Sequence, residues 1–411
     1  MKAEVEFYQQ EAHKTSLQEP LLAKIKAKGL KKLLAAGFPT RHDEAFKYSP
    51  PDAFLKERFI EAEIPEPILA LRASKPREVS KKRGVGREHI LVCTFADALK
   101  NHKELIEPYL KNLIIGEHGF QALNTAMLKQ NLVIYLPKGV KLKEPIKLSH
   151  LQNKANNAVY ARYLLILEPG SELTLIEDYQ GEANTPYLTN VITEAFLHKD
   201  SALTHVLIQR ESQESYHFSH FLAHQEAGSK LHSHAFHWGG KWVRSDKSFY
   251  LNGCNAEVNL NGLYALKDKQ HLDQHTLVDH KVGACISKQD YKGIISGSAE
   301  AVFNGKVVVQ KNAQKTQASQ QNKNILLSQT ALVNAKPELV IEANDVMCTH
   351  GATVGQLDEE ALFYCLSRGM SKAKAIELLI NGFISSNIST VEDKLTQGFC
   401  LESLHKHLQG A

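Results

Sequence analysis

A length of 411 residues allows one large or two to three ordinary domains, and 43% apolar with 23% charged residues is the make-up of an ordinary soluble protein. The formal net charge of +4 excludes a global field that would recruit nucleic acid. No stretch reaches membrane-spanning length, the opening Met1–Phe7 holds acidic residues where a signal peptide is apolar, and six scattered cysteines fit reduced thiols, so the expected compartment is the cytoplasm.

The first third reads as helical. Leu21, Leu22, Ile25, Leu30, Leu33 and Leu34 recur at three-to-four-residue steps until Gly37-Phe38-Pro39 ends the pattern. The stretch from Ser74 to His89 carries Lys75, Arg77, Lys81, Lys82, Arg83 and Arg87 without interleaved aromatics, which favours a solvated linker over a nucleic-acid patch. A second amphipathic helix is expected over Ala96–Leu110, with Ala98, Leu99, Leu105 and Ile106 on its apolar side.

From Leu132 the character changes to short β-rich runs, among them Leu132–Leu136 and Tyr163–Leu167. A weak repeat places a turn former three residues before an apolar strand position, at Gly139, Gly170, Asp200, Gly228, Asn255 and Gly283. The steps are 31, 30, 28, 27 and 28 residues. Such a period predicts stacked coils that each bury an apolar face against the next. A β-sandwich has closer and less regular turns. The polar tract Asn312–Asn324 reads equally as an Asn/Gln ladder between layers or as an exposed loop. Beyond Leu339–Ala343 the helical period returns. Asp358 is expected to cap a helix over Glu359–Ser367, and Ser371 a second one with Gly382 near its end. A third is expected from Val391 to Leu408.

Candidate chemistry is sparse. Cys348 and His350 point to one side of an extended segment and are both good ligands for iron or zinc, yet two ligands leave a metal site incomplete. The histidines at 217, 220, 224, 232, 234 and 237 do not align three to a face, and the favoured reading is solvent-exposed strand histidines. His271, Asp273, His275, Asp279 and His280 read as a polar outer face rather than a ligand ladder. HExxH, CxxC, Walker A, nucleophile-elbow and dinucleotide patterns are all missing. The carboxylates Asp246, Asp273, Asp279 and Asp290 lack the spacing of a glycan-cleaving pair, although a β-helix polysaccharide-active enzyme stays as the alternative from another class. The residues alone thus favour an assembly or scaffold role over an enzyme.

Several segments resemble one family. Tyr291–Ile294, Ala301–Val307, Ala313–Thr316 and Cys348–Tyr364 are similar to the SufB/SufD family of iron–sulfur cluster assembly. So are Gly37–Arg41 with Phe46–Pro50, and Phe120–Asn124 followed by Leu136–Gly139. The chain resembles the SufD-like branch, which carries histidine in Cys348-Thr349-His350-Gly351-Ala352-Thr353. A SufB-type principal scaffold is the alternative within the family. The resemblance implies a mainly β fold, with a right-handed parallel β-helix core over residues 126–345. A helical domain with linker over 1–125 and a helical domain over 346–411 would flank it.

The resemblance also implies a non-catalytic scaffold subunit of a SufBCD complex that binds no ATP itself. SufB would pair at the C-terminal end of the β-helix, and the tail helices after Gly355 would dock the SufC ATPase and move with its cycle. A homodimer is possible when the chain is alone; nucleic acid and membrane are not expected partners. His350, and with it Cys348, would hold a nascent iron–sulfur cluster shared with SufB. Thr349 stands where serine is usual and Asn344 where a second aspartate is common. No surrounding motif gives Cys254 a sulfur-accepting role.

Overall fold

A computed structural model describes residues 2–61, 68–71, 90–116 and 118–409, so the charged stretch Ser74–His89 lies outside the described residues. Strands from Gln130 onward alternate between two sheets. The first sheet takes Gln130–Leu136, Asn157–Leu167, Leu188–Leu197, Tyr216–Gln225, Trp242–Leu251, His271–His280, Glu300–Val309 and Leu332–Ile341. The second takes Ile146–Gln152, Glu172–Gly181, Ala202–Arg210, Lys230–His237, Glu257–Leu266, Ile286–Ile295, Thr316–Leu326 and Val346–Gly355. Every neighbouring pair within these two series is parallel, so the chain winds a parallel β-solenoid of eight coils. Period-2 alternation sends one set of side chains inward, where aliphatic rows such as Leu173, Leu203, Leu231 and Val258 stack. Each buried aliphatic side chain contributes about 1.5–3 kcal/mol.

The repeat seen in the sequence is a line of corner residues. Gly139, Gly170, Asp200, Gly228 and Asn255 all have φ between 56° and 71°. The next corner departs from expectation, because the left-handed residue is Ala284 (φ 59°) rather than Gly283. Gly283 is needed for a different reason, since a Cβ there would sit 2.6 Å from the carbonyl oxygen of Gln314. Lys315 (φ 61°) continues the line. Most of these corners donate a backbone N–H to the coil that follows, from Gly139 to Pro169 O (2.9 Å), Ala284 to Gln314 O (2.8 Å) and Lys315 to Asp345 O (2.6 Å). Left-handed backbone costs a residue with a Cβ about 1 kcal/mol. Ala284→Gly is therefore expected to stabilise the protein by about 1 kcal/mol, read as a higher urea midpoint at unchanged slope.

Helices cover the outer faces. Pro20–Ala36 forms the helix whose apolar spacing the sequence shows; Glu19 caps it and Gly37 (φ 66°) closes it with an N–H to Leu33 O. The predicted amphipathic helix spans Phe95–Lys111, capped by Thr94 and broken at His102. With Lys2–His13 and Gly119–Ala126, these elements pack on the first sheet through Tyr8, Phe38, Phe54, Phe120, Phe218 and Trp242. Phe120 and Phe218 stack with ring centroids 3.8 Å apart. The buried Arg162 fastens this layer, since its guanidinium pairs with Glu194 and donates to Ile114 O (2.6 Å) and Thr125 Oγ1 (3.2 Å). The first third also holds the short strands Ile60–Glu61, Ile68–Leu71 and Leu91–Cys93, which the helical reading missed; they are two to four residues long, too short to show a period.

The C-terminal helices are Glu359–Ser367 (here αA), Lys372–Ser389 (αB) and Lys394–Gln409 (αC). Asp358 caps the first as expected, accepting from Glu360 N–H (2.9 Å) and Ala361 N–H (3.1 Å). αB runs through Gly382 to Ser389 instead of ending near it, because Ile384 and Ile388 continue its buried stripe. The boundary read at 345/346 falls one strand early, since Val346–Gly355 is the eighth coil's second strand. Its Gly351, Ala352 and Gly355 blur the apolar alternation that marks the other strands.

Candidate functional site

Cys348 and His350 lie on that last strand, at inward-facing positions. Cys348 completes the row Leu173, Leu203, Leu231, Val258, Ser287 and Ala318. His350 completes the row Leu175, His205, Ser233, Leu260, Gln289 and Gln320. No ninth coil covers them, so positions that are closed elsewhere in the solenoid are open at its end. Cys348 is half-buried against the core and burial pushes its thiol pKa up, which keeps it protonated until a metal or a positive group draws the proton off. His350 is exposed, and among the described residues no hydrogen bond holds its ring. Among the described residues no three His, Cys, Asp or Glu side chains converge to hold a metal ion. The pair faces outward along the solenoid axis and offers two of the donors that a metal site needs.

The floor below the pair is polar. The Asn312–Asn324 tract is the strand Thr316–Leu326, with Gln320, Asn322 and Asn324 buried and Gln317 and Gln321 exposed. The tract is not an exposed loop, and one amide rung, Gln320 Nε2 to Gln289 Oε1, joins adjacent coils while the other buried amides bond each other and Tyr264. Asn324 Nδ2 donates to Asn322 Oδ1 (2.7 Å), Asn322 Nδ2 to Tyr264 Oη (3.0 Å), and Tyr264 Oη to Asn324 Oδ1 (2.6 Å). Deeper inside, Lys247 Nζ donates to Ser233 Oγ (2.9 Å), and His205 Nε2 lies 3.4 Å from Glu177 Oε1. A small cavity there brings Glu177, Thr193, His205 and Lys247 together with the apolar Leu207 and Phe221. Burial lowers the Lys247 ammonium to about 7 against the opposing pull of Glu177. Sequence reasoning missed this interior polarity because an inward lysine or glutamate on a strand looks like a surface residue.

The histidine group at 217–237 needs correction. His217, His220, His234 and His237 are buried, not solvent-exposed. His217 pairs with Glu211 (2.7 Å) inside the solenoid, whereas His220 Nδ1 accepts from Gln121 Nε2 (2.9 Å) of the N-terminal layer that the sequence pattern did not show; both are structural groups. Of the 271–280 group, His271, Asp273, His275 and Asp279 form an outer face that the N-terminal layer partly covers, whereas His280 points inward and is buried against Ser287. Arg244 pairs there with Asp273 and Asp246, and its guanidinium donates to Ala45 O (2.8 Å). The carboxylates do not assemble into an acid–base pair: Asp246 and Asp273 serve Arg244, and Asp279 accepts from Gln310 (3.0 Å).

Exposed apolar side chains concentrate around the open end and on αA. The last coil shows Leu332, Val340, Ile341, Met347 and Val354, and both of its strands have one unpaired edge. On αA and the turn after it, Phe363, Tyr364, Leu366 and Met370 are exposed, Phe363 at 72%, and Cys365 alone is buried. αB and αC are fixed to the second sheet by Ile380, Ile384, Ile388, Cys400 and Leu404. Bonds from Lys292 Nζ to Phe383 O (2.6 Å) and from Trp238 Nε1 to Ser403 Oγ (3.1 Å) add to this.

Residues 150–383 match the SufBD core domain of SUF system FeS cluster assembly, and residues 77–148 match the SufBD N-terminal region. The chain belongs to the SufB/SufD family. Relatives include the iron–sulfur cluster assembly protein SufD of Escherichia coli, 29% identical over 93% of this chain and 92% of that protein. An iron–sulfur cluster assembly SufBD family protein of Synechocystis is 32% identical over 72% of this chain and 68% of its own length. A chloroplastic protein of Arabidopsis thaliana, ABCI7, is 29% identical over 89% and 82%. SufB/SufD membership accounts for the solenoid and ties the chain to iron–sulfur cluster assembly, a role carried by assembly proteins rather than known catalysts. Among the described residues no helix is long and apolar enough to cross a membrane.

Proposed function

We propose that this chain is the SufD-type scaffold subunit of a SufBCD complex, and that a nascent iron–sulfur cluster is built at its junction with SufB. The observation that carries the reading is the pair Cys348–His350 at inward positions of an uncapped coil. A second solenoid placed end to end would bury the exposed Leu332, Val340, Ile341, Met347 and Val354 and bring the ligands that the pair lacks. It would also remove two open sheet edges, which otherwise invite aggregation. Pro337 cannot donate to a ladder, so continuous strand pairing falls to Val346–Gly355.

The cluster is the cargo of this site. His350 supplies an imidazole nitrogen to iron, and Cys348 a thiolate once its proton is lost. SufC docks on αA, whose Phe363 and Tyr364 are exposed. The resemblance led to the expectation of a mobile tail; αB and αC are anchored, so motion driven by the ATPase enters through αA and the turn at Arg368–Met370. The chain's own contribution is ligands, shape and docking surface, with no ATP site.

Co-purification separates the parts. Val340→Lys with Val354→Lys places two charges in the solenoid end and is expected to abolish SufB pairing while SufC still binds. Phe363→Asp is expected to do the reverse. A chain that keeps both partners in every variant overturns the assignment of these surfaces. Cluster assembly on this chain alone, without SufB, would favour a SufB-type principal scaffold instead.

A further inference from the structure

We infer that Gln320 is a positioning residue for His350, presenting its side-chain oxygen to one imidazole N–H and so fixing which ring nitrogen faces the cluster. The inference rests on the reading of His350 as a cluster ligand and adds a residue to it. Gln320 is the Cα partner of His350 on the preceding coil, and both side chains point inward. Neighbouring strands are about 4.8 Å apart, so the amide is within reach of the ring above it.

The amide is already oriented. Its Nε2 donates to Gln289 Oε1 (3.3 Å), which also accepts from Thr276 Oγ1 (2.8 Å). That leaves Gln320 Oε1 as the free end. The residue is 1% exposed, and Oε1 is a buried acceptor with no partner. A buried unpaired carbonyl costs about 1–3 kcal/mol, so its presence calls for a donor. His350 is a donor one rung away, and its ring has no hydrogen bond among the described residues.

The facing wall supports the same conclusion. A Cβ on Gly305 would lie 1.9 Å from Gln320 Nε2, so the amide occupies the space that a side chain would take. Gly305 has no positive φ to account for the glycine; what it provides is room. Imidazoles that ligate metal almost always donate their other N–H to a carbonyl or carboxylate, which sets the tautomer and ring direction. Gln320 supplies that acceptor from beneath the open end.

The test uses the full-length chain with ¹⁵N-labelled histidine, the His350 signals being assigned by their loss in His350→Ala. Ring nitrogen shifts are read at roughly pH 8, where an ordinary imidazole is neutral. In the wild type His350 is expected in one tautomer. Gln320→Met removes the acceptor, and Gly305→Ala displaces the flexible amide without altering it; both are expected to move the His350 nitrogens toward the averaged shifts of an exchanging ring. Gln320→Glu keeps an acceptor oxygen and is expected to retain the wild-type tautomer. The other histidines report the fold of each variant, so a misfolded one is recognised and the remaining two decide.

Identical His350 shifts in all four proteins would overturn the inference. Cluster formation in the full complex is expected to slow by about tenfold or more in Gln320→Met and to recover in Gln320→Glu. Wild-type assembly by His350→Ala would sink the ligand reading itself and leave the ring measurement standing, so the two failures are distinct.

Discussion

His350→Ala is expected to slow cluster assembly in a reconstituted SufBCD complex by more than about tenfold, because loss of a ligand exceeds the 10–100-fold cost of losing a ligand's hydrogen-bond partner. The fold should not change. His350 is exposed, its ring has no hydrogen bond among the described residues, and it stacks on one coil only, so its removal falls within about 0.5 kcal/mol of neutral. Co-purification with SufB and SufC should persist, since the exposed apolar residues of the last coil and of αA are untouched. Cys348→Ala separates the two members of the pair. Its thiol packs on the core row above Ala318, so that variant should show a small stability loss together with any loss of assembly. An intact complex with wild-type assembly rate in His350→Ala removes His350 from the ligand set.

The second large effect is acid instability. Burial holds the imidazoles of His150, His220 and His280 at about 4 and that of His234 at about 3, against about 6.5 for a free ring. The folded values lie below the unfolded one, so the unfolded chain binds protons that the native chain refuses. Stability is complete above pH 6.5 and is lost as pH falls toward 4. Each ring depressed to about 4 removes about 3 kcal/mol over that window, and three of them together approach the whole stability of a domain.

One group acts in the opposite sense, because burial raises the Glu194 carboxyl despite Arg162. The depressed Lys247 amine has the same sense as the rings, but its loss is complete by about pH 7 and adds nothing below it. Glu194 softens the acid loss without reversing it, while Asp273, which Arg244 holds at about 2 against its burial, extends the loss below pH 4. The urea midpoint is expected to drop steeply between pH 7 and about 5. His220→Gln with His280→Gln should flatten that slope even if it lowers stability at pH 7. A midpoint that stays level across this range would contradict the buried, neutral state of these rings.

The division between sequence and structure follows from what a local pattern can carry. Period-2 runs and a turn former every 27 to 31 residues fix a stacked β architecture, because each depends on residues near in sequence. Helix starts at Asp358 and Ser371 were legible for the same reason, since a cap bonds within three residues. Cys348 and His350 were legible as a pair because positions i and i+2 share a face.

Which face that was, and what lay beneath it, was not. Only the register of eight coils puts the pair above Ala318 and Gln320, at an end that nothing covers. The same register turns Lys247, Glu177, His217 and His237 from apparent surface residues into buried ones. Burial is set by the outer layers as well, and the N-terminal helices reach the 217–246 region across more than 100 residues of sequence. A left-handed Ala284 in place of its glycine neighbour was invisible too, because the corner is fixed by the coil that follows it. Sequence alone determined the repeat, the helix starts and the Cys348–His350 pair; long-range stacking decided the interior, the open end and the amide under His350.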